Sequence, residues 1–136
     1  MNNEMIQKVA SLAQRGSYIF LATSGEHCEP HVVSAGNIEY VRGEIVAVTQ
    51  FLCQITAANI GSNKHVSIVV WNPDQNVGFQ LVGEVESLVE RAMIDGYTSL
   101  EKVNEGSIPQ IEWRLLVEVK SVLDFSRIVH RDAVLA

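Results

Sequence analysis

Trp113-Arg114-Leu115-Leu116-Val117-Glu118-Val119-Lys120-Ser121-Val122-Leu123-Asp124-Phe125 decides the fold class. Trp113, Leu115, Val117, Val119, Ser121, Leu123 and Phe125 alternate with Arg114, Leu116, Glu118, Lys120, Val122 and Asp124. A period of two sends successive side chains to opposite faces, so this stretch reads as a long strand with one buried and one more polar face. Toward the N-terminus, Val77 to Ser87 reads as a strand interrupted at Gly83, where a bulge or bend is expected. Lys64 to Trp71 (KHVSIVVW) is another strand, and Asn72-Pro73-Asp74-Gln75-Asn76 has turn composition. Pro30 to Val41 reads as one strand that Arg42-Gly43 turns back into Glu44 to Thr49, a hairpin. Ser17 to Thr23 is a short apolar strand followed by the turn Ser24-Gly25-Glu26-His27.

Helical signals occur in three places. Met5, Ile6, Val9, Leu12 and Ala13 recur at helical spacing, with Asn2 or Asn3 as cap and Gly16 as stop. Gln54 to Ile60 reads as a short helix ended by Gly61. Ser87-Leu88-Val89-Glu90 has the form of a capping box, which predicts a helix carrying Leu88, Ala92, Met93, Leu100 and Val103 on one face. Ser126 to Ala136 shows no periodicity. About six strands with two or three helices, in β-rich order, predict a mainly β (α+β) fold, a small antiparallel barrel with helices at its rim. No repeat or linker divides the chain, so residues 1-136 read as a single domain.

Composition narrows the function classes. With 136 residues and 47% hydrophobic against 19% charged side chains, the chain can bury a real core, and intrinsic disorder is excluded. No apolar run is long enough for a transmembrane helix. Met1-Asn2-Asn3-Glu4 has no basic region ahead of an apolar run, so no secretory signal is read and a cytoplasmic protein is expected. A net charge of −6 argues against nucleic acid, including an oligonucleotide-binding barrel, which needs a basic, aromatic strand face.

Few residues announce chemistry. Phosphate-loop, dinucleotide-loop, zincin and serine-hydrolase motifs are absent. His27, His31, His65 and His130 are scattered, which favours isolated histidines over a metal site. Cys28 and Cys53 lack the spacing of a redox motif and any basic sequence neighbour, and Glu26 and Glu29 beside Cys28 disfavour its thiolate. Both cysteines therefore read as small packing residues. Between Thr49 and Asn63 a strand ends in a hydroxyl and a helix begins near Thr56. Free N–H groups at a helix start attract phosphate, and Thr56 either donates to such an anion or simply caps the helix, with Asn59 a surface amide. Trp71 and Trp113 sit at strand ends, where each packs into the core or lies against a flat ligand.

Taken in order, Ile19-Phe20-Leu21-Ala22-Thr23, Glu29-Pro30-His31-Val32-Val33, the Arg42-Gly43-Glu44 turn, Thr56 through Ser67, Gly78-Phe79-Gln80-Leu81-Val82-Gly83 and the Trp113 strand resemble the FMN-binding split-barrel superfamily related to pyridoxamine 5′-phosphate oxidase. Small bacterial FMN-binding proteins are the nearest likeness. The resemblance implies a six-stranded antiparallel split β-barrel of Greek-key type, pairing into a homodimer with FMN at the subunit interface. It implies a flavoprotein that passes electrons or hydride to a small-molecule or redox partner. Motif by motif, it places Ser34, Ala35, Gly36 and Asn37 beside the flavin ring, and Thr49, Gln50, Phe51 and Leu52 along the ring or ribityl chain. It makes Thr56 a phosphate donor and brings Trp113 across the interface. One departure stands out: relatives carry Lys at or near the position of Ile55 and Arg near Gly61 and Ser62, whereas no Lys or Arg occurs between Arg42 and Lys64. The departure keeps open an alternative, a non-catalytic binding module with weak or no FMN.

Overall fold

The structure is a computed structural model that describes residues 3–51, 53–92, 111–127 and 133–136. The elements are α1 (Asn3–Ala13), β1 (Tyr18–Ser24), β2 (Pro30–Ala35), β3 (Asn37–Arg42), β4 (Ile45–Thr49), α2 (Gln54–Ser62), β5 (His65–Asn72), β6 (Val77–Ala92) and β7 (Ile111–Asp124). The fold is mainly β, seven antiparallel strands in one sheet of order β2-β1-β5-β6-β7-β4-β3, with two helices. The seventh strand arises because the expected Pro30–Val41 strand breaks at Gly36.

That break shapes the molecule. β2 and β3 are opposite edges of the sheet, yet one residue joins them. Six interstrand steps would hold the edges of a flat sheet about 29 Å apart. Ala35 and Asn37 can be no more than about 7 Å apart along the chain. The sheet is therefore curled until the end of β2 meets the start of β3. Its interior is filled by Leu21, Ile38, Val46, Val48, Ile68, Val70, Leu81, Leu115, Val117 and Val119. α1 packs on β3, β5 and β7 and buries Ile6, Val9 and Leu12, each worth about 1.5–3 kcal/mol.

The long β6–β7 ladder corrects two readings. Alternation along β7 holds through Leu115, Val117 and Val119 and then changes phase: Val122 is completely buried, while Phe125 is exposed. Partner residues jump from Gly83↔Val119 to Val82↔Ser121, which leaves Lys120 unpaired in the ladder as a bulge. One extra residue exchanges the two faces of a strand. The expected irregularity at Gly83 is thus present, but the sequence pattern carried one phase through it. The second correction concerns Ser87-Leu88-Val89-Glu90, which continues β6 opposite Trp113 to Leu116 instead of capping a helix. Pairing with β7 supplies the backbone bonds that a helix would have supplied locally. Met93, Leu100 and Val103 of that predicted helix lie outside the described residues. The β3–β4 hairpin forms as expected around Gly43, at φ +50°, and α2 runs through Gly61 to Ser62.

Candidate functional site

The meeting of the two sheet edges gathers most of the residues singled out in the sequence. Asn37 pairs with Thr49 across the β3–β4 ladder, and the Gly36 N–H donates to the Gln50 carbonyl at 3.0 Å. Gln50 has φ +61°, a strained conformation for a residue with a side chain, and its side chain folds over Gly36. A Cβ at Gly36 would lie 2.7 Å from Gln50 Cβ, so close approach requires glycine here. Phe51 follows, buried, and its carbonyl accepts from the Trp113 N–H at 3.4 Å. Ala35, Gly36, Asn37, Thr49, Gln50, Phe51 and Trp113 thus form one corner of a single protomer. Ser34 lies next to it, exposed at the β2 edge, and Leu52 lies outside the described residues.

Not every group at the corner faces outward. Asn37 Oδ1 accepts from Gln14 Nε2 at 2.9 Å, which ties it to the end of α1. An open groove of about 380 Å³ beside it, lined by Gln7, Ser11, Gln14, Glu39 and Tyr40, shares only Asn37 with the corner. The Trp113 indole nitrogen is buried without a hydrogen-bond partner.

The start of α2 forms the second half of the site. Cys53, not Thr56, occupies the cap position, and its thiol is 3.3 Å from Nε2 of His31 on β2. Burial pushes this thiol up, but hydrogen bonds from the Thr56 backbone and side chain, from His31 and from the Ile55 backbone prevail and bring its pKa down to about 7. The expectation that Cys53 lacks a basic neighbour is therefore corrected. Its basic neighbour comes from another strand, 22 residues away, where no local pattern signals it. Thr56 is completely buried; its hydroxyl favours the nearby thiolate but closes no hydrogen bond of full geometry, so Oγ1 lacks a partner. Ile55 is 58% exposed. Asn59 is not a free surface amide, since its side chain donates to Thr23 Oγ1 at 3.1 Å.

Two aromatic and imidazole candidates fall elsewhere. Trp71 packs edge-on against the exposed Phe125 with the Arg127 guanidinium over its ring, whereas Trp113 packs against the core. His65 lies 3.8 Å from Glu84, and among the described residues no three metal-ligating side chains come together. No helix among them is long and apolar enough to cross a membrane.

No protein-family model matches the chain, and no curated protein matches it. Solved structures share its fold. An FMN-binding protein from Syntrophomonas wolfei superposes with a TM-score of 0.67 at 16% identity, over 94% of this chain and 90% of the other. A pyridoxamine 5′-phosphate oxidase-related, FMN-binding protein from Nostoc punctiforme gives 0.59 at 12% identity, over 94% and 85%. An F420 reductase gives 0.59 at 23% identity, over 82% and 93%. The fold is thus the one found in FMN-binding and pyridoxamine 5′-phosphate oxidase-like proteins, as the sequence resemblance implied.

Proposed function

We propose that the chain is a flavin-binding split barrel that works as a homodimer, with FMN held at the subunit interface, and acts as an oxidoreductase or electron carrier. The observation that carries this reading is the convergence of Gly36, Thr49, Gln50, Phe51 and Trp113 at one corner of a fold that also occurs in FMN-binding structures. Two orphaned polar groups fit such a ligand. The buried Trp113 Nε1–H suits a ring carbonyl oxygen, and the start of α2 with the Thr56 hydroxyl suits a phosphate oxygen. Bound flavin supplies the redox chemistry, while these residues orient the ring and exclude water.

A specific observation favours a second reading, the non-catalytic module. The α2 start presents exposed Ile55 where a cation would neutralise phosphate, and no Lys or Arg lies between Arg42 and Lys64. A charge-assisted hydrogen bond is worth about 1.5–3 kcal/mol. Weak FMN retention is expected on either reading. The test is the visible absorbance of the purified protein before and after incubation with FMN and removal of free cofactor. A retained flavin spectrum supports the flavoprotein; no retained flavin at saturating FMN leaves the module.

A further inference from the structure

The α2 start, which the flavin reading uses for phosphate, also holds a thiol that this reading leaves unused. Cys53 occupies the cap position of the helix without a side-chain capping hydrogen bond, and its partly accessible thiol lies 3.3 Å from His31 Nε2. The geometry beside this sulfur is that imidazole and, three residues on in α2, a buried Thr56 hydroxyl without a hydrogen-bond partner. We propose that Cys53 and His31 form a redox-active thiol–imidazole pair that reduces small hydroperoxides and carries the resulting sulfenic acid.

The chemistry balances without a further reactant. The Cys53 thiolate attacks the terminal oxygen of the hydroperoxide, an S–O bond forms and the O–O bond breaks. The departing alkoxide or hydroxide takes the proton from His31 Nε2–H. Thiolate, hydroperoxide and imidazolium become sulfenic acid, alcohol or water, and neutral imidazole; sulfur is oxidised and the peroxide reduced. The imidazole beside the sulfur favours the thiolate, as at other activated cysteines. Burial opposes the charged thiol, while the hydrogen bonds from Thr56, His31 and Ile55 prevail and keep it partly ionised near neutrality. His31 is the titratable group of β2 facing it. β1, the other strand packed on α2, has only Tyr18, at the end remote from the Thr23↔His31 pair.

Cys28, exposed on the β1–β2 connection, serves as an internal control in the same full-length chain. Hydrogen peroxide is added at pH 7, sulfenic acid is trapped with dimedone, and each cysteine is quantified by peptide mass. Trapping at Cys53 should run at least about tenfold faster than at Cys28. His31→Asn should slow the peroxide reaction about tenfold or more, yet slow alkylation by iodoacetamide less, because that leaving group needs no proton. The alkylation rate of Cys53 should rise as pH passes upward through about 7, where the thiolate forms. Equal trapping at the two cysteines, or equal slowing of both reactions by His31→Asn, overturns the proposal. The two readings share the α2 start, but flavin retention is read separately by absorbance, so the failure of one is distinguishable from the failure of the other.

Discussion

At the residue scale the site is built from residues whose neighbours decide their identity. Gly36 has Gln50 above it, and Gln50 Cβ sits 2.7 Å from where a Gly36 Cβ would lie. Gly36→Ala therefore forces the Gln50 segment to move and should cost about 1–3 kcal/mol in urea unfolding, the usual range for overpacking. Gln50→Gly should be near neutral, since it trades side-chain contacts for relief of the positive φ. The double variant should recover most of the loss, because the clash needs both side chains; strictly additive costs would disprove that coupling. Ile55 makes the complementary case. At 58% exposure it has room for a longer side chain. Ile55→Lys should raise FMN affinity about tenfold while leaving riboflavin unchanged, because only FMN offers a phosphate charge within about 4 Å. The gain should shrink with added salt. Equal effects on the two ligands in calorimetric titration would remove Ile55 from the phosphate site.

At the element scale the decisive object is the β6–β7 ladder. Alternation in Trp113 to Val119 was legible because each side chain there follows the pleat. The phase change beyond was not, because a bulge is a property of two strands: Lys120 is extra only relative to Val82 and Gly83. Expected outcomes follow from the corrected phase. Val122→Ala removes a completely buried side chain and should cost about 2 kcal/mol or more, whereas Leu123→Ala, on the half-buried face, should cost less. The alternation read from sequence alone predicts the reverse order, so urea midpoints of the two variants distinguish them. Ser87 to Glu90 shows the same limit from the other side. The Ser-x-x-Glu spacing is present in the sequence, but pairing with the long partner strand outweighs it. The corner was legible in part through the resemblance. Its Gln50–Gly36 closure and the Cys53–His31 pair depend on segments distant in sequence, which no local spacing encodes.

At the scale of the whole molecule the curled sheet leaves an outer face on β1 and β2 with exposed apolar side chains. On β1, Tyr18 and Phe20 stack at 6.3 Å, and Val32 stands on the neighbouring β2 opposite Ala22. Tyr18 and Val32 are each 60% exposed. Val122 of the last strand is completely buried, whereas the β1–β2 face carries exposed apolar side chains and is the candidate surface. Adjacent exposed apolar side chains of this kind mark association. Light scattering should therefore give twice the 15.0 kDa chain mass. Association also stabilises the folded state by an amount that grows with the logarithm of concentration, so the parent's Tm should rise as protein concentration rises. Val32→Lys puts a charge into that face without touching the core. It should give a particle of chain mass whose Tm does not vary with concentration, and it should lose bound FMN if the cofactor needs both subunits. A parent that scatters as 15.0 kDa at micromolar concentration, or a Val32→Lys variant that stays paired, would leave this face without its assigned partner and move the cofactor site back within one chain.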